Sequence, residues 1–344
     1  VKTANQIAQF AIAIAAAGLF TPSARADEVA DFYKGKTLTV LVGLQAGTGF
    51  DIYGRALARH IGRYIPGNPN TVVQNMPGAS GVNAANWLYN LAPKDGTVIG
   101  TFPQNVTTEP LYGNKSARYG VESMAFIGNM EDGTATCAVR SDAGVTSVED
   151  LQKKEVIWGA TGATGPLGGS AQALNYLIGT KLKIIYGYKG SASVKLAIQK
   201  DEVKGICGLP YSTMTAFWAD MLDAGQLKLI IQLAGKPIPG KKGLAQLKDY
   251  LKTDEQREIA KLIFSTYEIS RLFTTQSAVP AARIKALRAA FDATMKDKQF
   301  LADAEKTKIE ISAISGEEAE KIVQDLYKVK PETVKKAYAA TIKK

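Results

Sequence analysis

Short β-branched runs alternate with amphipathic helical runs along the chain, and this alternation predicts α/β domains built on largely parallel sheets. Residues 37–44 (TLTVLVGL) read as a buried strand. That strand opens onto a glycine-bearing loop at 45–50 and then a helix over 51–65. In the helix Ile52, Ala56, Leu57, His60, Ile61 and Tyr64 recur at spacings of three and four, while Arg55, Arg59 and Arg63 take the other side. Pro66 and Pro69 stop it. A second strand at 71–74 leads into Pro77, Gly78, Ala79, Ser80 and Gly81, then a helix through Tyr89. A third strand covers 97–102.

A second series follows. Residues 124–128 and 134–140 are β-like, 148–153 form a short helix, and 156–161 a buried strand. This strand runs into a second glycine-rich loop, 162–169 (GATGPLGG), and a helix over 170–178. A strand at 183–188, a helix from Ala192, a strand at 203–209, a helix over 213–224 and a strand at 227–233 continue the pattern. The unit of strand, glycine loop and helix thus occurs twice, at 37–65 and 156–178. Two domains of one design, facing each other across a cleft, are the expectation. The first takes residues 27–132 and the second 133–268; 269–344 return to the first and add C-terminal helices at 281–295, 297–304 and 316–329. Crossings near 129–134 and 267–279 imply a hinge, and a hinge between matched domains implies a ligand cleft.

The first 26 residues differ from the rest. Lys2 is the only charge before Arg25, residues 7–20 are almost wholly apolar, and Ala24-Arg25-Ala26 is an A-x-A pattern ahead of Asp27. These are the parts of a secretory signal, with cleavage expected after Ala26 and residence in the periplasm. The exported compartment makes one disulfide the expectation for the two cysteines, Cys137 and Cys207, which both lie in β-like runs. The formal charge of +10 is a bias toward anions. No basic run resembles a nucleic-acid arm, so no nucleic-acid partner is expected. The lysines of 228–252 and 321–344 alternate with apolar residues, as on solvated helix faces.

A single histidine, His60, removes most catalytic schemes, because no triad can be assembled around any other site. No His/Cys cluster has zinc spacing and no calcium-loop pattern appears, so neither a metal nor a cofactor is expected. The glycine loops carry the chemistry. A loop that leaves a strand and opens a helix presents unsatisfied backbone N–H groups and the positive end of the helix dipole, worth about 0.3–1 kcal/mol to an anion. Neither loop matches the dinucleotide or Walker pattern. The candidate ligand residues of the first loop are Gln45, Gly47, Thr48, Gly49, Phe50 and Asp51, with Asp51 also read as the helix cap. Those of the second are Thr161, Ala163, Thr164, Gly165 and Ser170, the two threonines being the preferred side-chain donors. Ala79 and Ser80 join them from the loop after the second strand, and Gln104 and Asn105 from the end of the third.

The segments GKTLTVLVGLQAGTGFDIYGRALARHI, VVQNMPGASGVNAANWLYNLAPKDGTVIG, YGYKGSASVKLAIQKDEV and GEEAEKIV resemble the receptor subunits of tripartite tricarboxylate transporters, the Bug proteins. The resemblance covers essentially the whole chain after the leader. It implies a type II binding-protein architecture and a monomer that captures a small organic carboxylate and delivers it to membrane permease subunits. It also implies that loops 44–51 and 161–170 clamp the carboxylate, largely through backbone N–H groups and ordered water. The family's usual Pro-Gly-Gly is here Gln45-Ala46-Gly47. Gly208-Leu209-Pro210 replaces a stretch often polar or acidic in that family, which implies a less polar distal pocket. A sensor module feeding a kinase, or an enzyme on the same fold, are the alternative readings.

Overall fold

In the computed structural model residues 23–163 and 165–342 are described. The expected leader falls outside them up to residue 22, and the first helix, Ser23–Tyr33, runs across the expected cleavage point. Among the described residues no helix is long and apolar enough to cross a membrane.

Two six-stranded sheets organise the chain. The first holds β1 (Thr37–Val42), β2 (Asn70–Asn75), β3 (Val98–Thr101) and β4 (Met124–Asn129). The second holds β5 (Ala135–Arg140), β6 (Val156–Gly159), β7 (Leu182–Ile185), β8 (Gly205–Pro210), β9 (Leu227–Gln232) and β10 (Ala245–Gln246). The chain then returns to the first sheet with β11 (Leu272–Gln276) and β12 (Ile314–Ser315). The strand orders are β12-β4-β11-β3-β1-β2 and β10-β9-β5-β8-β6-β7. Read from the opposite edge, the two coincide position by position: β2-β1-β3-β11-β4-β12 against β7-β6-β8-β5-β9-β10. In each, three parallel strands (β2, β1, β3; β7, β6, β8) meet an antiparallel fourth, β11 or β5. The internal repeat is therefore a repeat of topology.

Central strands are buried on both faces, as parallel sheets covered by helices require. All six residues of β4 are buried, and Leu38, Val40, Leu41 and Val42 of β1 have no exposed surface. The edge strand β2 instead alternates exposed and half-buried positions. Trp158 and Trp218 lie fully inside the second lobe. Cys137 and Cys207 are direct partners in the β5–β8 register and form the expected disulfide.

The connecting helices correct the sequence reading in several places. The first-loop helix is Gly49–Ile61, tightening into a 3-10 turn at Gly62–Tyr64. The second starts at Pro166, four residues before expected, because proline is well suited to the first helical position and Gly168 and Gly169 continue the helix behind it. Residues 211–223 form two short helices broken at the buried Trp218. Residues 228–252 are not a helix face: they hold β9, a long loop, β10 and a 3-10 turn. Asp254–Phe264, with a Thr253–Gln256 capping box, is a helix the periodicity did not reveal, whereas Pro331–Thr341 is helical as the lysine spacing of 321–344 suggested.

Two strand links, 130–134 and the segment before β11, pass side by side between the lobes. They are zipped together by Met130 N–H to Arg271 O (3.1 Å), Gly133 N–H to Tyr267 O (2.9 Å) and Arg271 N–H to the Asn129 side chain (2.8 Å). A third crossing follows the Gly316–Leu326 helix, which packs on β4. Pro331–Thr341 then lies against Pro166–Ile178 and Asp254–Phe264 of the second lobe, placing Val334, Ala337 and Ala340 in that lobe's core.

Candidate functional site

The carboxyl ends of β1, β3, β6 and β8 face one another where the lobes meet, and a cavity of about 40 Å³ lies between them. From the first lobe it is bounded by Leu44, Gly49, Phe50, Pro103, Gln104 and Arg271. From the second come Thr161, Pro166, Leu167 and Ser191, with Gly208, Leu209, Pro210 and Thr213 closing the floor. Three helices therefore begin on its wall, at Gly49, Pro166 and Ser191. A smaller space of about 30 Å³ adjoins it, bordered by Gln104, Asn105, Gly165 and Ser170 among others.

The first-lobe loop is held by its own side chains. Thr48 is the N-cap: its hydroxyl accepts from Asp51 N–H (3.4 Å) and donates to Gln45 O (2.9 Å). Asp51 is thus not the cap but the third helical residue, reaching back to accept Gly47 N–H at 2.9 Å. Its carboxylate also accepts Arg55 Nε at 3.0 Å and Asn75 Nδ2 at 2.9 Å. Burial pushes the Asp51 carboxyl up, but these three donors outweigh burial and hold it below the ordinary carboxylate range.

The second-lobe starts differ. Neither Gly165 nor Gly190, the residues that cap Pro166–Ile178 and Ser191–Gln199, supplies a side-chain cap. Glycine is required where this lobe closes on itself. A Cβ on Gly208, whose φ is +73°, would stand 2.1 Å from Pro166 O, and one on Gly168 would stand 2.1 Å from Gly162 O. Strand β8, the loop and the helix start approach one another through those two positions.

The lobes touch along the cavity rim. Ser80 Oγ and Thr161 Oγ1 are 2.8 Å apart, and Gln45 N–H reaches Lys189 O at 3.5 Å. Of the residues singled out in the sequence, Gly49, Phe50, Gln104 and Thr161 meet on the main cavity; Asn105, Gly165 and Ser170 border the adjoining space. Ser80 is buried at the rim contact, while Thr48 and Asp51 hold the loop from behind. Gln45, Gly47, Ala79 and Ala163 are not on the cavity wall, and Thr164 lies outside the described residues. His60 is away from the site, its Nε2 2.9 Å from Asp303 Oδ2.

Sequence reasoning missed Ser191, Thr213 and Arg271. Ser191 carried a signal, since Tyr188-Lys189-Gly190-Ser191 repeats the strand, glycine, helix-start pattern. Arg271 carried only a faint one, a lone cation heading the apolar run of β11. Its side chain is fully buried beneath the Phe50 and Tyr53 rings, 4.7 Å from each centroid.

Two α/β lobes of one topology, linked by several crossings and closing helix starts on a shared cavity, define the periplasmic solute-binding class of fold. Within that class the chain has the fold of the Bug-type binding proteins. The periplasmic binding protein BugD superposes with a TM-score of 0.73 at 18% identity, over 90% of this chain and 99% of that one. An R. palustris protein solved with adipate gives 0.70 at 17% identity, over 88% and 97%. By sequence, a Cupriavidus necator protein described as "UPF0065 protein in gbd 5'region" is 25% identical over 230 residues, 65% of this chain and 67% of that protein. No family model matches the chain.

Proposed function

We propose that this chain is an exported receptor that captures a small organic carboxylate between its lobes and delivers it to membrane permease subunits of the tripartite type. The observation that carries this reading is the convergence of the Gly49, Pro166 and Ser191 helix starts on one cavity, two of them without side-chain caps. Unsatisfied amides at a helix start favour an anion, and low polarity around them strengthens the attraction. The adipate carried by one neighbour of the same fold fits this chemistry. The ligand enters by parting the lobes about the crossover segments and is enclosed when they return. The candidate ligand residues are Gly49, Phe50, Gln104 and Thr161 on the main cavity, with Asn105, Gly165 and Ser170 beside it. The domain limits follow the crossovers, 27–132 and 133–268, with the remainder shared between the lobes. With one histidine, remote from the cavity, the site has no nucleophile–base pair, and the reading is binding without turnover.

The test is a thermal-shift screen of the mature protein against di- and tricarboxylates and aromatic acids. A ligand at about 100 times its Kd adds roughly 2.7 kcal/mol to stability. No shift with any acid rejects the reading, and sustained turnover of an acid by the purified protein replaces it with an enzyme.

A further inference from the structure

Arg271 sits on the cavity wall with most of its hydrogen-bonding capacity unused. A guanidinium has five N–H donors. Nη1 donates to Ser270 O at 2.8 Å and Nη2 to Thr213 Oγ1 at 2.7 Å. Nε lies 3.3 Å from Glu131 Oε2, close enough for an ion pair, yet neither atom completes a hydrogen bond there. Glu131 is itself fully buried and accepts from Ser212 through its other oxygen. The pair neutralises the charge of the arginine without exhausting its donors.

A second donor shares the wall. Gln104 is 3% exposed, lines both the main cavity and the adjoining space, and its Nε2 has no hydrogen-bond partner. A buried donor left unmade costs about 1–3 kcal/mol. That unmade donor, beside an arginine whose Nη1 and Nη2 each make one hydrogen bond of the two they can donate, points to an acceptor supplied from outside the chain. Their neighbours Leu44, Phe50 and Pro103 are apolar and supply none.

Resting on the carboxylate-receptor reading, we propose that Arg271, assisted by Gln104, is the specificity-determining residue of the cavity. It receives a second acceptor group of the ligand, while the first carboxylate lies at the uncapped Pro166 and Ser191 helix starts. Arg271 is suited to this by its fixed fork, by the Phe50 and Tyr53 rings that orient it, and by the Glu131 carboxylate that balances its charge. The ligand is then an acid with two acceptor ends.

The experiment compares acids of matched length: succinate against butyrate and adipate against hexanoate, by calorimetric titration of the full mature chain. The wild type is expected to prefer at least one diacid roughly 10- to 100-fold over its monoacid, the range for hydrogen bonds to a charged group. Arg271→Met combined with Glu131→Gln removes both buried charges together. It is expected to bring the ratio of diacid to monoacid affinity to within about threefold of one, because the charged hydrogen bonds that produce the preference are gone. Arg271→Lys, which keeps the charge without the fork, is expected to fall between the two. Monoacids bound as tightly as diacids by the wild type overturn the inference whether or not the variants fold, and so does a preference that survives in the double variant. If no acid binds the wild type at all, the receptor reading fails and this inference with it. Acids that bind without discrimination leave the receptor reading standing and reject Arg271 alone.

Discussion

The two lobes share a strand order and differ in how they treat the helix starts that order delivers. After β1 the first lobe caps its helix with Thr48 and sends the Asp51 carboxylate back to Gly47, so part of the positive helix end is already answered by a negative side chain. After β6 and β7 the second lobe begins helices at Pro166 and Ser191 with no side chain in that role. What the first lobe brings to the cavity is instead the donor side chains of Gln104 and Arg271. Identical topology delivers two kinds of donor to the cavity: uncapped helix starts on one wall, the Gln104 and Arg271 side chains on the other. The lobes differ again at their centres. The antiparallel pair β5–β8 is cross-linked by Cys137–Cys207, whereas the matching pair β11–β3 is joined by hydrogen bonds over a short register at Phe273 and Thr274.

The largest expected effect lies in that last difference. Replacing Cys137 and Cys207 by alanine together releases a link across 70 residues of sequence. On the loop-entropy account this costs about 4 kcal/mol. The loss falls on the second lobe, where Trp158 and Trp218 report its unfolding; Trp87 belongs to the first. A double-alanine variant whose urea midpoint by tryptophan fluorescence equals that of the wild type removes the disulfide from any account of what separates the lobes.

A smaller effect is expected at Asp51, on the first lobe only. Asp51→Asn gives up charged acceptance from Gly47, Arg55 and Asn75, at about 1.5–3 kcal/mol for hydrogen bonds to a charged group. The sign of the pH dependence follows from the lowered carboxyl. Its contribution is fully present above the ordinary carboxyl value of about 4 and is lost as pH falls through the lower folded value. The stability gap between wild type and Asp51→Asn is therefore constant near neutrality and closes in acid. A gap that does not narrow as the solution is acidified below the ordinary carboxyl range contradicts the assignment, since protonation removes the charge that separates the two side chains.

These contrasts mark what the sequence could and could not convey. Strand positions were legible because β-branched runs such as 37–44 and 156–161 are long, apolar and bounded by glycine. The loops followed, since a glycine-rich stretch between strand and helix has few alternatives, and so did the Cys137–Cys207 pairing. Helix starts were read less well: the glycines at 168 and 169 suggested a loop, and the helix-initiating proline ahead of them set the start at Pro166. Arg271 was beyond reach for a different reason. Its role depends on Glu131, Thr213 and Phe50, which are remote in sequence and meet only where the crossovers pass between the lobes. Ala79 and Ala163 lie off the cavity wall for a related reason: membership of a loop at the cavity does not fix which residue turns inward.

The smallest expected effect tests whether the two walls act together. Ser80 Oγ and Thr161 Oγ1, 2.8 Å apart, belong to different lobes, so their bond exists only while the lobes are in contact. Ser80 also has a φ of +50°, a conformation that costs a non-glycine residue energy and that the bond helps to hold. Ser80→Ala keeps the backbone cost and removes the bond. It is expected to weaken carboxylate affinity by a factor of about 2 to 12, equivalent to 0.5–1.5 kcal/mol, while leaving the urea midpoints of both lobes unchanged. Ser80→Gly relieves the backbone and loses the same bond, so its affinity should match that of Ser80→Ala even where its stability is higher. If the two variants differ in affinity as they differ in stability, the rim contact serves the fold of its own loop. If both lose affinity equally at unchanged lobe stability, the energy of that one bond goes into closure, which is how a wall of amides and a wall of side-chain donors are brought to bear on one ligand.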